Sequence, residues 1–223
     1  MSFYTKIIYS PKKYLFENER QKHFFENWLN LNIKNSQFTL NENYYLDNEY
    51  ILISGLAGNK LRMLNIEKWI DVINYILKKT NLKIVLIGSY SAVNYNNEII
   101  QKSIAPERCF NLAGQTTLSS LPYILKKSKL LLSVETSTVH LAQSINIPTI
   151  CVSNGAYYKR FHPYNNCKYI YPKNFVKDVI QSDMYKWQSY VGVEYYNINE
   201  IQSTEIINIF NSFILNDSLK KIK

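Results

Sequence analysis

Two short segments carry residue types suited to a phosphorylated ligand. The first reads Ser54-Gly55-Leu56-Ala57-Gly58-Asn59-Lys60-Leu61-Arg62. Gly55 and Gly58 permit close backbone approach, and Lys60 and Arg62 can meet a phosphate with charge-assisted hydrogen bonds. The spacing matches neither GxxxxGK[ST] nor GxGxxG, so a plain glycine turn with two solvated cations explains this segment equally well. The second reads Ser133-Val134-Glu135-Thr136-Ser137-Thr138-Val139-His140-Leu141-Ala142. Its hydroxyls can cap a helix, and the free N–H groups and dipole of that helix suit a diphosphate. Glu135 can accept hydrogen bonds from paired sugar hydroxyls. His140 lies three residues beyond Ser137, close to one helical turn, so both can face one cleft. The structural alternative is a capped helix with a buried histidine satisfied by backbone.

The surrounding pattern supplies the elements that would position these groups. From Tyr50 onward, short apolar runs alternate with amphipathic stretches. Strands are expected at Tyr50–Ile53, Leu82–Ile87, Cys109–Leu112, Leu130–Val134 and Pro148–Val152, with a further one at Lys168–Tyr171. Helices are expected at Ile66–Lys79, Glu98–Lys102, Leu118–Lys127 and Val139–Ile145, then from about Phe175 and over Thr204–Leu215. Strands apolar throughout and separated by helices indicate a parallel sheet covered on both faces. The expected fold class is therefore α/β, a Rossmann-like doubly wound parallel sheet flanked by helices. Ligands of such sheets bind outside the carboxyl ends of the strands where strand order reverses, which selects the loops after strands one and four. An earlier helix, Glu17–Leu31, has Phe24, Phe25, Trp28, Leu29 and Leu31 as its expected buried face. The chain thus divides into a helix and polar linker (1–48), the Rossmann-like ligand-binding domain (49–182) and a helical extension (183–223).

Composition excludes several classes. Hydrophobic residues at 46% and charged residues at 19% are ordinary globular values. No apolar run reaches the roughly 18–20 residues of a spanning helix. Met1-Ser2-Phe3-Tyr4-Thr5-Lys6 lacks the features of a secretory signal, so the expected location is cytoplasmic. Cys109, Cys151 and Cys167 show no metal spacing and are expected to be reduced and buried. The net charge of +9 comes from scattered pairs such as Lys78-Lys79, Lys126-Lys127 and Lys220-Lys221. It reads either as a solvated surface or as attraction to an anionic partner: a phosphorylated lipid, a nucleotide or a membrane surface. No nucleic-acid motif accompanies it, and no nucleic-acid partner is expected. The abundant Asn and Tyr read as compositional bias.

Four segments together resemble glycosyltransferase family 9, the ADP-heptose:lipopolysaccharide heptosyltransferases and their relatives. Asn111-Leu112-Ala113-Gly114-Gln115-Thr116-Thr117-Leu118 is similar to the family's N-L-x-G-x-[TS]-[ST]-L segment. Glu135-Thr136-Ser137-Thr138-Val139-His140-Leu141-Ala142 is similar to its D-[ST]-G-x-x-H-[LIV]-A signature, and Ile147-Pro148-Thr149 to the strand that follows. Gly55 to Trp69 resembles the family's glycine-to-tryptophan segment, with Arg62 at the phosphate-contacting basic position. Two departures stand out: Glu135 replaces an aspartate, and Ser137 replaces a glycine.

The resemblance implies the C-terminal, donor-binding domain of a GT-B fold. It implies a nucleotide-sugar donor as substrate, ADP-heptose foremost, with no cofactor and no metal. The implied donor-binding residues are Gly55, Gly58, Lys60, Arg62, Thr116, Glu135, Thr136, Ser137 and His140. The implied reaction is inverting transfer to a lipopolysaccharide-core or related glycolipid hydroxyl, with peripheral association at the inner membrane face. The family's acceptor site and catalytic carboxylate lie on an N-terminal domain that the first 48 residues are not expected to form. Asp47 and Glu49 match no catalytic position, so the catalytic residues stay unassigned. The chain is expected to be either truncated or completed by another chain, and the apolar faces of helices 17–31 and 204–215, left exposed, are expected to favour homodimerisation. Two alternatives stay open: a catalytically silent nucleotide-sugar-binding or interaction module, and an unrelated basic α/β protein that binds an anionic polymer.

Overall fold

A computed structural model describes residues 17–30, 32, 49–158, 161, 163–175 and 196–215. Its centre is one six-stranded sheet: β1 (Tyr50–Ser54), β2 (Lys83–Leu86), β3 (Cys109–Asn111), β4 (Leu130–Val134), β5 (Thr149–Val152) and β6 (Cys167–Ile170). The spatial order is β3-β2-β1-β4-β5-β6, and every neighbouring pair is parallel. Order reverses between β1 and β4, so the crevice of this α/β, doubly wound sheet opens at their carboxyl ends.

Side chains alternate across the sheet and build two cores. On one face Ile51, Ile53, Ile84, Leu86, Leu130 and Leu132 pack under Trp69, Ile73 and Ile76 of α2 (Ile66–Lys79). Ile99 of α3 (Val93–Gln101) joins them. On the other face Tyr50, Leu52, Val85 and Leu131 meet Ile124 and Leu125 of α4 (Leu121–Lys127) and Leu141 and Ala142 of α5 (Ser137–Ser144). Each fully buried side chain of this size contributes roughly 1.5–3 kcal/mol of apolar burial, so the sheet is a rigid platform for the loops at its carboxyl edge.

Several element limits differ from expectation for physical reasons. The third helix starts at Val93, not Glu98. Its polar first half is held by Asn96, buried at 1% exposure, whose amide donates to Asn111 Oδ1 at 3.1 Å. The fourth starts at Leu121, not Leu118, because Thr117 and Ser120 bond each other's backbone N–H reciprocally (3.0 and 3.2 Å) and close a turn first. The fifth starts at Ser137, two residues early, because Thr136 is the extended N-cap. The last strand is Cys167–Ile170, one residue earlier than expected. The expected helix from about Phe175 and the linker at 41–48 lie outside the described residues.

Two helices depart more. The first, α1 (Glu17–Leu29), stops before Asn30, whose φ of 54° breaks the helix. Its expected buried face is exposed: Phe24 46%, Phe25 40%, Trp28 53% and Leu29 48%. Helical spacing lines these side chains up, but the three rings contact one another and join neither sheet core. Leu31 lies outside the described residues. The terminal helix α6 (Ser203–Leu215) was expected to expose an apolar face, yet Ile206 and Phe210 are fully buried in the α2 core. Tyr75 Oη donates to Asn211 Oδ1 at 3.0 Å, and Lys68 Nζ donates to Ile201 O at 2.7 Å, which ties this terminal segment to α2. Its apolar face is therefore not a free dimerisation surface.

Candidate functional site

The carboxyl edge gathers polar residues that the fold has buried. Ser54, Ser133, Glu135, Thr138, Ser153 and Asn154 are each at most 7% exposed, and all lie where β1, β4 and β5 end. Buried polar groups need partners, and here they bond across strands. Ser133 Oγ donates to Ser54 O at 3.2 Å, and Ser54 Oγ lies 3.4 Å from Thr138 Oγ1 on α5. The crevice floor is thus a cross-strand hydroxyl network.

The loop after β1 is shaped by packing at its start and a cap at its end. A β-carbon on Gly55 would stand 3.0 Å from Trp69 Nε1, so the strand leaves the sheet pressed on the buried indole. Gly58 is different: a β-carbon there meets nothing within 4 Å and would project into open space. Asn59 then caps a 3₁₀ turn over Lys60–Arg62 by accepting Leu61 N–H at 2.9 Å. Lys60 is exposed. Arg62 is half-buried; its Nη1 donates to Glu135 O at 3.2 Å, and its guanidinium lies 5.5 Å over the Tyr157 ring. Its buried Nε has no partner among the described residues. One arginine therefore joins the two loops on which the sequence places the ligand.

The loop after β4 places its groups unevenly. Glu135 is 3% exposed and accepts Ser153 Oγ at 2.6 Å through Oε2. Thr136 occupies the N-cap of α5, but its side chain makes no capping bond; the hydroxyl sits 3.4 Å from Ser133 Oγ instead. The expected side-chain cap is absent, because the extended Thr136 turns its hydroxyl toward the strand. The first-turn N–H groups of α5 are thus left without that cap, at the positive end of the helix dipole. Ser137 is exposed at the helix start, and His140 is half-buried with Nδ1 2.8 Å from Tyr164 Oη. Thr116 lies on the same sheet edge, in the turn after β3, two strand positions from β1. Among the described residues it makes no hydrogen bond to Arg62.

A third loop, after β5, completes the wall. Ser153 accepts Gly155 N–H at 3.0 Å while donating to Glu135. Asn154 Nδ2 donates to Leu61 O at 3.0 Å and latches this loop to the one after β1. Gly155 has φ +80°, a conformation that glycine adopts without strain. The Tyr157 and Phe161 rings lie 5.5 Å apart and those of Phe161 and His140 5.6 Å apart, each pair tilted by nearly 60°, so an aromatic row runs from Arg62 to His140. The signal for this loop was present as Ser153-Asn154-Gly155, a turn directly after an apolar strand that neighbours β4. Cys109, Cys151 and Cys167 are buried free thiols, and burial holds the Cys109 and Cys151 thiols above their usual range. Glu49 sits at the opposite edge, before β1, paired with Lys129 at 2.9 Å. No cluster of metal-ligating side chains occurs among the described residues, and none of their helices is long and apolar enough to cross a membrane.

Comparison with known proteins gives one consistent answer. The family model for glycosyltransferase family 9 (heptosyltransferase) matches residues 12–178. No curated protein matches at a significant level. Among solved structures, the E. coli heptosyltransferase WaaC with ADP superposes with a TM-score of 0.67 at 15% identity, covering 95% of this chain and 60% of that one. The E. coli ADP-heptose lipopolysaccharide heptosyltransferase II gives 0.60 at 15% identity, over 88% of this chain and 52% of that one. A family 9 glycosyl transferase from Veillonella parvula gives 0.62 at 13% identity, over 88% and 51%. At these identities the likeness is one of fold. The chain spans about half of the length of the structures it matches.

Proposed function

Because this chain belongs to glycosyltransferase family 9, we propose that it binds a nucleotide-diphosphate sugar, ADP-heptose foremost, between the loops after β1 and β4. In this reading it is the donor-binding part of an inverting transfer to a lipopolysaccharide-core or related glycan hydroxyl. The observation that carries the reading is Arg62, a cation at the switch point whose side chain makes one hydrogen bond among the described residues, to Glu135 O. Beside it stands the N-terminus of α5, whose N-cap side chain makes no capping bond. A solved relative with ADP bound supports the nucleotide.

The chemistry follows from charge. The bond between the anomeric carbon and the diphosphate oxygen breaks while the acceptor oxygen bonds that carbon from the opposite face. The acceptor proton passes to a general base, and negative charge grows on the leaving diphosphate. Arg62, Lys60 and the α5 N–H groups neutralise that charge, which is commonly a large catalytic term. Glu135, Thr136, Ser137 and His140 hold donor hydroxyls or phosphate, and Gly58 leaves room on the open side of its loop. Cations supply the neutralisation, so the reading needs no metal. The base is not Glu49, which lies at the far edge of a five-residue strand, roughly 17 Å away. The acceptor would reach the site from a membrane surface, to which the scattered lysine pairs draw the chain from the cytoplasmic side.

A second reading, nucleotide-sugar binding without transfer, is favoured by one observation: Glu135 is 3% exposed and already engaged by Ser153. Family membership removes the reading of an unrelated α/β protein. Calorimetric titration with ADP, ADP-heptose and UDP-sugars tests the first two together. Saturable binding of ADP and ADP-heptose, undiminished by a chelator, is expected; no saturable nucleotide binding sinks both. A transfer assay on an isolated lipopolysaccharide-core acceptor then separates enzyme from module.

A further inference from the structure

We propose that Asn154, on the loop after β5, is a positioning residue for Arg62: its side-chain amide pins the peptide that carries the arginine, so the guanidinium is in place before an anionic ligand arrives. The ligand part rests on the donor-site reading above; the pinning of the peptide does not.

The tie begins at a side chain whose orientation its partners decide. Asn154 is wholly buried; its Nδ2 donates to Leu61 O at 3.0 Å, and its Oδ1 accepts Ala156 N–H at 3.2 Å. A backbone carbonyl can only accept and a backbone N–H can only donate. Turning the amide over would set oxygen against oxygen and N–H against N–H, so one orientation alone fits. The oxygen end folds the loop after β5 on itself. The nitrogen end crosses to the loop after β1.

What it reaches there is the peptide joining Leu61 to Arg62. The C=O of that peptide accepts Asn154, and its N–H donates to Asn59 O at 3.0 Å. A planar peptide bonded at both ends is held against rotation, which sets the direction in which the Arg62 side chain leaves the main chain. Packing does not do this: none of Lys60, Leu61 and Arg62 is buried, and Leu61 is 54% exposed. Further out, the arginine is steadied by Nη1 on Glu135 O and by the ring of Tyr157, three residues beyond Asn154 on the same loop. Its buried Nε has no hydrogen-bond partner among the described residues. The loop after β5 thus holds Arg62 at its root and at its head. An arginine ordered in advance loses less rotamer freedom on binding, which strengthens the binding of an anion.

Asn154→Ser keeps an oxygen for Ala156 N–H but is too short to reach Leu61 O, so it cuts the tie and spares the loop. Nitrogen-15 relaxation of the Arg62 Nε–H in the full, ligand-free chain, assigned through Arg62→Lys, reads the arginine directly. The wild-type signal should be as ordered as the backbone, and Asn154→Ser should loosen it. Calorimetry with ADP should show about five-fold weaker binding in Asn154→Ser. In the Arg62→Ala background the same change should cost nothing further. A mobile Arg62 Nε–H in the wild-type chain overturns the proposal, as does an order that Asn154→Ser leaves unchanged. So does an ADP affinity that Asn154→Ser leaves unchanged, or lowers equally with and without Arg62. An asparagine with a merely structural role would lower stability and move neither reading. If Asn154→Ser does not fold, Asn154→Ala takes its place in both measurements. Failure of ADP to bind the wild-type chain sinks the donor-site reading instead, and the relaxation measurement still rules on Asn154.

Discussion

Arg108 and Arg62 stand near opposite edges of the same sheet and are used in opposite ways. Arg108, just before β3, donates to the carbonyls of Leu77, Thr80 and Leu82 at 2.9, 2.6 and 2.7 Å. It closes the C-terminus of α2 and the turn into β2, so its hydrogen bonds are spent on the fold. Arg62, after β1, makes one long bond to Glu135 O and leaves a buried Nε unmatched among the described residues. The fold completes one guanidinium and leaves the other incomplete. An incomplete guanidinium half-buried at a topological switch point is what an anionic ligand would complete.

Three substitutions can break or sharpen that contrast. Arg108→Ala is expected to cost about 3 kcal/mol of folding stability, because three carbonyls lose a charged donor. Urea denaturation measures it, and ADP affinity of the folded fraction should not change. If ADP affinity fell as far as stability, the division between the edges would be wrong. Arg62→Ala should do the reverse: a loss of about thirty-fold in ADP affinity by calorimetry, near 2 kcal/mol, with the denaturation midpoint almost unmoved. A large fall in stability with intact ADP binding would make Arg62 a structural clamp between loops. Gly58→Ala is the smallest expected effect. Its methyl meets no protein atom, so stability should stay within about 0.5 kcal/mol. ADP-heptose should bind about three-fold more weakly if the ligand lies over that loop, and equally well if it does not.

The sheet was legible because its strands are continuous apolar runs, a pattern that only a doubly covered parallel sheet requires. The loops after β1 and β4 were legible as a pair because small polar residues and cations stand at the ends of those runs. The loop after β5 was not, although its residues are unremarkable only in isolation. Its relevance depends on β5 lying beside β4, which is a fact of strand order rather than of local pattern. Composition also misled. Abundant asparagine reads as bias, yet Asn96, Asn111, Asn154 and Asn199 each bridge separate segments through side-chain hydrogen bonds. Frequent tyrosine likewise hid Tyr157 and Tyr164 among surface residues. Residue totals carry no information about which amide faces which carbonyl. The exposed row on α1 marks the converse error: periodicity groups apolar side chains, but burial needs a facing surface.

The contact between Gly55 and Trp69 has a consequence for substitution. An indole at position 69 and a β-carbon at position 55 compete for the same 3.0 Å of space. A β-carbon at 55 requires the fully buried indole to give by a few tenths of an ångström, while shrinking 69 first leaves a cavity beneath the loop. Either change alone is expected to lower stability, so substitutions at the two positions are expected to be energetically coupled. The entry to the loop after β1 is in that sense kept by a tryptophan wholly buried beneath it.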